Sequence, residues 1–123
     1  MQLRDFMKMK NWAVIGDVDN TLKYAYQIHH ELKEKGYKAY GVHPQGTGFT
    51  YKSLKDISGP IDIVDLCMSS REGLNYAKEI VELGIRYVLI QPGAQSDEVI
   101  RLLRCHQVEV LEGCALVGLR LYS

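Results

Sequence analysis

Trp12-Ala-Val-Ile-Gly-Asp-Val-Asp-Asn-Thr21 is the stretch on which the fold turns. Four apolar residues run together without an alternating polar partner and stop at Gly16, the composition of a strand covered on both faces, as parallel strands are. Asn20 or Thr21 can then cap a helix, because a short polar side chain satisfies the free N–H groups of a first turn. Apolar residues recur at Leu22, Ala25, Ile28 and Leu32 until Gly36, a helix with one apolar stripe and a glycine stop.

Working outward, Tyr37 to Val42 reads as a second strand, closed by His43-Pro44 and the glycine-bearing loop Gln45 to Gly48. Thr50-Tyr51 reads as a short edge strand and Ser53 to Ile57 as one helical turn. The strand-to-helix unit then recurs. Ile61 to Cys67 has strand composition, and Ser69 with Glu72 forms a capping box for a helix carrying Leu74, Ala77 and Ile80 or Val81 up to Gly84. Tyr87 to Ile90 is the next strand. Ser96 caps a helix with Val99, Leu102, Leu103 and His106 on one face, which makes His106 a core histidine with a partner. Val108 to Leu111 is the last clear strand, with Cys114 at its end.

Strands alternating with helices define an α/β, doubly wound, three-layer fold with a mostly parallel sheet and right-handed crossovers. With the Thr50 strand counted third, the expected order is 3-2-1-4-5-6. The whole of 1–123 forms one domain, and 1–11 is a short helical leader. In such sheets a ligand sits at the carboxyl ends of the strands where the order reverses, here between strands 1 and 4. That places candidate ligand contacts at Gly16, Asp17, Val18, Asn20, Thr21 and Lys23 in the first loop, with Tyr26 one turn further. His43 and Pro44 follow strand 2, Cys67, Ser69 and Arg71 follow Ile61–Cys67, and Gln91 and Gly93 follow Tyr87–Ile90.

Composition narrows the chemistry. Fifteen basic and fifteen acidic side chains give no global pull toward nucleic acid or an anionic membrane. The apolar runs are far shorter than the roughly 18 residues of a membrane span. The first ten residues lack a signal-peptide apolar core, and three cysteines without CxxC spacing fit reduced thiols, so the expected location is cytoplasmic. Adjacent His29 and His30 diverge by about 100° on a helix and do not chelate a metal. Asp62 and Asp65, three apart on a strand, point to opposite faces and make no acid–base couple. No residue is assigned a catalytic role.

The order Ala13-Val-Ile-Gly16, Lys23-Tyr-Ala-Tyr26, Gly36-Tyr37, Gly41-Val-His-Pro44, Tyr51-Lys-Ser-Leu54, Ile61-Asp-Ile-Val64 and Ile90-Gln-Pro-Gly93 resembles the small CoA-binding domain family. That family is similar to the amino-terminal CoA-binding domain of the succinyl-CoA synthetase alpha subunit. The resemblance runs from Trp12 to Cys114 and implies a Rossmann-like fold that binds the nucleotide part of CoA or an acyl-CoA, with its phosphates over the Gly16 to Lys23 loop. It implies no ligase activity, since the synthetase's phosphate-carrying histidine lies in a separate domain. The first loop is acidic at Asp17 and Asp19, so a pyrophosphate there requires those carboxylates to point away or Lys23 to offset them. Two other readings stand beside this one. An NAD(P)-binding redox or sensor domain would want further glycines in the first loop and an acidic residue in place of His43. A ligand-free interaction module would keep only the fold. Eight tyrosines leave room for a homodimer or a partner enzyme.

Overall fold

A computed structural model describes residues 1–46, 48–68 and 71–123. The elements follow as α1 (Leu3–Phe6), β1 (Asn11–Ile15), α2 (Tyr24–Glu34), β2 (Lys38–Val42), a 3-10 turn (Leu54–Asp56), β3 (Ile63–Leu66), α3 (Arg71–Glu82), β4 (Tyr87–Ile90), α4 (Asp97–Cys105), β5 (Glu109–Glu112) and α5 (Ala115–Tyr122). Five parallel strands form one sheet in the order β2-β1-β3-β4-β5, with helices on both faces. The doubly wound fold is therefore present, and its order reverses between β1 and β3, the pair expected from the sequence.

The expected third strand, at Thr50-Tyr51, does not form among the described residues. Tyr51 makes only an isolated parallel bridge with Val42, its N–H donating to Gly41 O and its carbonyl accepting from His43 N. Two glycines at positive φ precede it, Gly46 and Gly48, and Ser53 already caps the 3-10 turn, so the chain is extended beside β2 for one residue only.

Successive residues of each strand feed opposite layers. Ala13, Ile15, Val64, Leu66, Val88 and Ile90 pack with Tyr76, Ala77 and Ile80 of α3 and Val99 and Leu103 of α4. Trp12, Val14, Ile63 and Leu89 pack with Ala25, Ile28 and Leu32 of α2, Leu116 and Leu119 of α5, and Phe6 of α1. Phe6 and Met7 are almost wholly buried, so the leader's helix is part of the core. No helix among the described residues is long and apolar enough to cross a membrane.

Three further expectations need correction. Helix α2 starts at Tyr24, with Lys23 as its N-cap and no side-chain cap bond, because Asn20 Oδ1 instead accepts from Leu22 N in a local turn. Leu22 is consequently exposed and off the apolar stripe. His106 is exposed at the C-cap of α4, its Nδ1 contacting Leu102 O at 3.0 Å, since the helix ends before another turn can carry it to the sheet. Cys114 does not end a strand. It is the N-cap of α5, whose residues Ala115, Leu116, Gly118 and Leu119 bury one side by helical spacing.

Candidate functional site

The site grows out of the sheet ladder. Beyond each strand one more backbone bond forms: Gly16 N to Val42 O, Cys67 N to Ile15 O, Gln91 N to Leu66 O and Gly113 N to Ile90 O. Gly16, Cys67, Gln91 and Gly113 thus make a row across the carboxyl ends, on the face that carries α2 and α5. A Cβ on Gly16 would stand 2.9 Å from Cys67 Cβ and 3.1 Å from Ala25 Cβ. Only glycine lets the first turn of α2 close down on the end of β3.

Above this row lies a cavity of about 500 Å³. Cys67, Met68, Gln91 and Pro92 form its floor, and Asp17, Lys23, Tyr24 and Ala25 one wall. Cys114 supplies the other side. The N-caps of two helices, Lys23 of α2 and Cys114 of α5, therefore both face the same space. Free N–H groups and the positive ends of two helix dipoles favour an anion there, each helix end contributing about 0.3–1 kcal/mol at exposed sites. Gln91 is buried, and its Oε1 accepts from Ala115 N at 2.8 Å, which ties α5 to the end of β4. With that oxygen engaged, the amide's donor end is what Gln91 can offer a ligand.

Asp17, Lys23, Cys67 and Gln91 thus meet at one cavity, as their positions beyond the strands suggested, with Gly16 beneath them. The remaining described candidates lie apart from its lining. Val18 is buried and holds the close approach to Gly41, where a Cβ would meet its Cγ2 at 3.0 Å. Asn20 braces Asp17 (Nδ2 to Oδ2, 3.4 Å), and Thr21 is exposed in the same turn. Tyr26 stacks on His30 with ring centroids 5.9 Å apart. His43 Nε2 stands 3.5 Å from Asp17 Oδ1, and its Nδ1 accepts from Gln45 N. Pro44 borders a separate cavity of about 280 Å³ with Ser53 and Tyr76. Arg71 opens α3 and is exposed, and Gly93, at φ 92°, is a turn residue whose N–H donates to Gln95 Oε1. Ser69 lies outside the described residues.

One residue near the site escaped the sequence reading. Asp65 is wholly buried, in the row Val14, Asp65, Leu89 and Leu111 directly below the cavity floor. Its Oδ2 accepts from the Cys67 thiol at 3.3 Å, and its Oδ1 has no hydrogen-bond partner among the described residues. Burial pushes its pKa up to about 7, against a smaller downward pull from the thiol. Burial and the adjacent carboxylate in turn push the Cys67 thiol well above its ordinary range. The signal was a charge in the middle of the run Ile61 to Cys67, where both neighbours are apolar.

Fold and site together define a class: a doubly wound α/β domain with an anion-favouring cavity at the reversal of its strand order. Within that class the chain belongs to the CoA binding domain family, which it matches over residues 10–120. It is similar to the uncharacterized protein YneT of Bacillus subtilis (strain 168), with 28% identity over 101 residues, covering 79% of this chain and 75% of YneT. A conserved hypothetical protein from Pyrococcus furiosus is also 28% identical, with a TM-score of 0.78, over 91% of this chain and 99% of that one. A Thermus thermophilus structure shares the fold at 23% identity, with a TM-score of 0.86 and 98% of both chains covered.

Proposed function

We propose that the protein binds CoA or an acyl-CoA without catalysing a reaction on it. The phosphates lie at the N-terminus of α2 and the remainder of the ligand reaches into the cavity. The observation that carries this reading is the cavity itself: in a chain of the CoA binding domain family, Lys23 and two helix N-caps converge on one space at the strand-order reversal. Asp17, the acidic residue of its lining, is held by His43 and Asn20, contacts that draw its charge toward the end of β2. Lys23 supplies the compensating cation at the lip. A dinucleotide is less well served, since β2 is followed by His43 and Pro44 and not by a carboxylate that could take a ribose hydroxyl.

The test is a thermal-shift titration with CoA, acetyl-CoA, NADH and ATP. A ligand at about 100 times its Kd stabilises the fold by roughly 2.7 kcal/mol. CoA or acetyl-CoA should raise the melting temperature, and Lys23→Ala should weaken their binding about tenfold, or roughly 1.4 kcal/mol, with little change in the ligand-free melting temperature. A response to NADH alone would replace CoA with a nicotinamide nucleotide. No response to any of the four would reject the binding reading and leave an interaction module.

A further inference from the structure

Two thiols, Cys67 and Cys114, line the cavity, and among the described residues Cys67 has a proton acceptor fixed beside it. The Asp65 carboxylate is an expensive group in this position. It is wholly buried in an otherwise apolar row, its sole hydrogen bond among the described residues is to Cys67, and its other oxygen is unpartnered. Folding would be served better by an apolar side chain. The strand's alternation puts Asp65 on the same face as Cys67, two residues earlier, so the carboxylate sits under the cavity floor with the thiol between it and the ligand space.

We infer that Cys67 is a covalent capture point for the ligand's own sulfur: it takes up CoA from a CoA disulfide by thiol–disulfide exchange, with Asp65 receiving the thiol proton. The inference rests on the CoA reading above. The step balances without an outside oxidant. Cys67 Sγ attacks one sulfur of the disulfide, the Cys67–CoA bond forms as the CoA–CoA bond breaks, the thiol proton passes to Asp65, and the other CoA departs as a thiolate that takes its proton from water. Cys67 is oxidised to the mixed disulfide, and one CoA leaves reduced. A base that titrates near neutral pH is suited to that transfer. The raised thiol pKa has a complementary effect: Cys67 stays protonated and unreactive toward dilute disulfides in solution, and reacts when a bound ligand holds its sulfur against it. Cys105, exposed at the end of α4, provides the comparison.

The experiment incubates the intact protein with CoA disulfide and maps adducts by mass spectrometry, with and without dithiothreitol. One reducible CoA adduct on Cys67 is expected, formed at least about tenfold faster than with hydroxyethyl disulfide at the same concentration, and absent in Cys67→Ser. In Asp65→Asn, the rate at saturating CoA disulfide should fall about tenfold while the half-saturating concentration stays unchanged, a split that a merely structural defect would not give. Adducts on Cys105 or Cys114 with Cys67 left free, or equal labelling of Cys67 by the small disulfide, would overturn the inference. The wild-type map decides this even if a variant fails to fold. Calorimetry of Cys67→Ser with reduced CoA separates the two ideas. Binding of CoA there, with no capture by the wild type, would sink the inference and spare the binding reading; no binding by either protein would remove both.

Discussion

Neighbouring residues of the same strands build two faces of very different composition. Under α3 and α4 the row Ala13–Val64–Val88–Val110 is apolar throughout, and the row Ile15–Leu66–Ile90 is apolar until it reaches the exposed Glu112 of the edge strand β5. Under α2 and α5 the intervening row reads Val14–Asp65–Leu89–Leu111, and the next one up contains Cys67 and Gln91. The first face is explained by packing. On the second, polarity enters the core in one column that rises from Asp65 through Cys67 to the cavity, on the side where α2 and α5 begin. Stability is conceded there, directly beneath the cavity.

The comparison breaks most sharply if the carboxylate is moved across the sheet. Val64→Asp puts the same group one residue earlier, wholly buried among the apolar side chains of α3 and α4. Urea denaturation should show a loss exceeding about 4 kcal/mol, or no folded population at all. A mild effect would mean that both faces tolerate charge alike.

Asp65→Asn tests the native side. The folded-state pKa is raised from 3.8 to about 7, so the folded chain keeps a proton through a range where the unfolded chain has lost it. Stability from this group is full below pH 4 and declines as pH rises to about 7, a total of roughly 4 kcal/mol. The amide variant should therefore be more stable than wild type at pH 8, with the advantage vanishing toward pH 4. His29 shifts in the opposite sense, held below its ordinary pKa mainly by burial, but it is common to both proteins and cancels in the difference. Parallel curves from pH 4 to 8 would show that Asp65 is not the titrating group.

A smaller effect is expected at the junction of the cavity and the core. Gly16→Ala drives a Cβ to 2.9 Å from Cys67 Cβ and 3.1 Å from Ala25 Cβ, so α2 or β3 must shift. A loss of about 1–3 kcal/mol in thermal melts should accompany weaker CoA binding. Unchanged affinity would separate the α2–β3 contact from the ligand.

How far the sequence was legible follows from the same contrast. β1 and β4 are continuous apolar runs closed by Gly16 and by Gln91-Pro92, and they lie where periodicity put them. The start of α2 was misread because Asn20 has two uses for its side chain, and the turn with Leu22 prevailed over the cap. Helix α5 was missed because Cys114-Ala-Leu-Val117 has strand composition, and its helical face emerges only with Gly118 and Leu119. The site shows the same division. Asp17, Lys23, Cys67 and Gln91 were legible from their places just past strand ends, whereas Cys114 reaches the cavity by virtue of that unforeseen helix. Tyr24, Met68 and Pro92 carry no chemical signature, and they line the space because of backbone path alone. Asp65 was visible as a charge, but in a strand buried on both sides composition does not say which layer a residue meets.

The chain's single tryptophan sits at the other end of this architecture. Trp12 is wholly buried at the start of β1, its indole N–H bonded to Met9 O at 2.8 Å and its ring edge-on to Tyr37. Four residues of extended chain, about 13 Å, separate it from Gly16 and the cavity floor. Its emission is thus an optical gauge of whether the α2–α5 layer is assembled, read from a point that an occupant of the cavity does not touch. Fluorescence and ligand occupancy can be followed in one sample as independent signals.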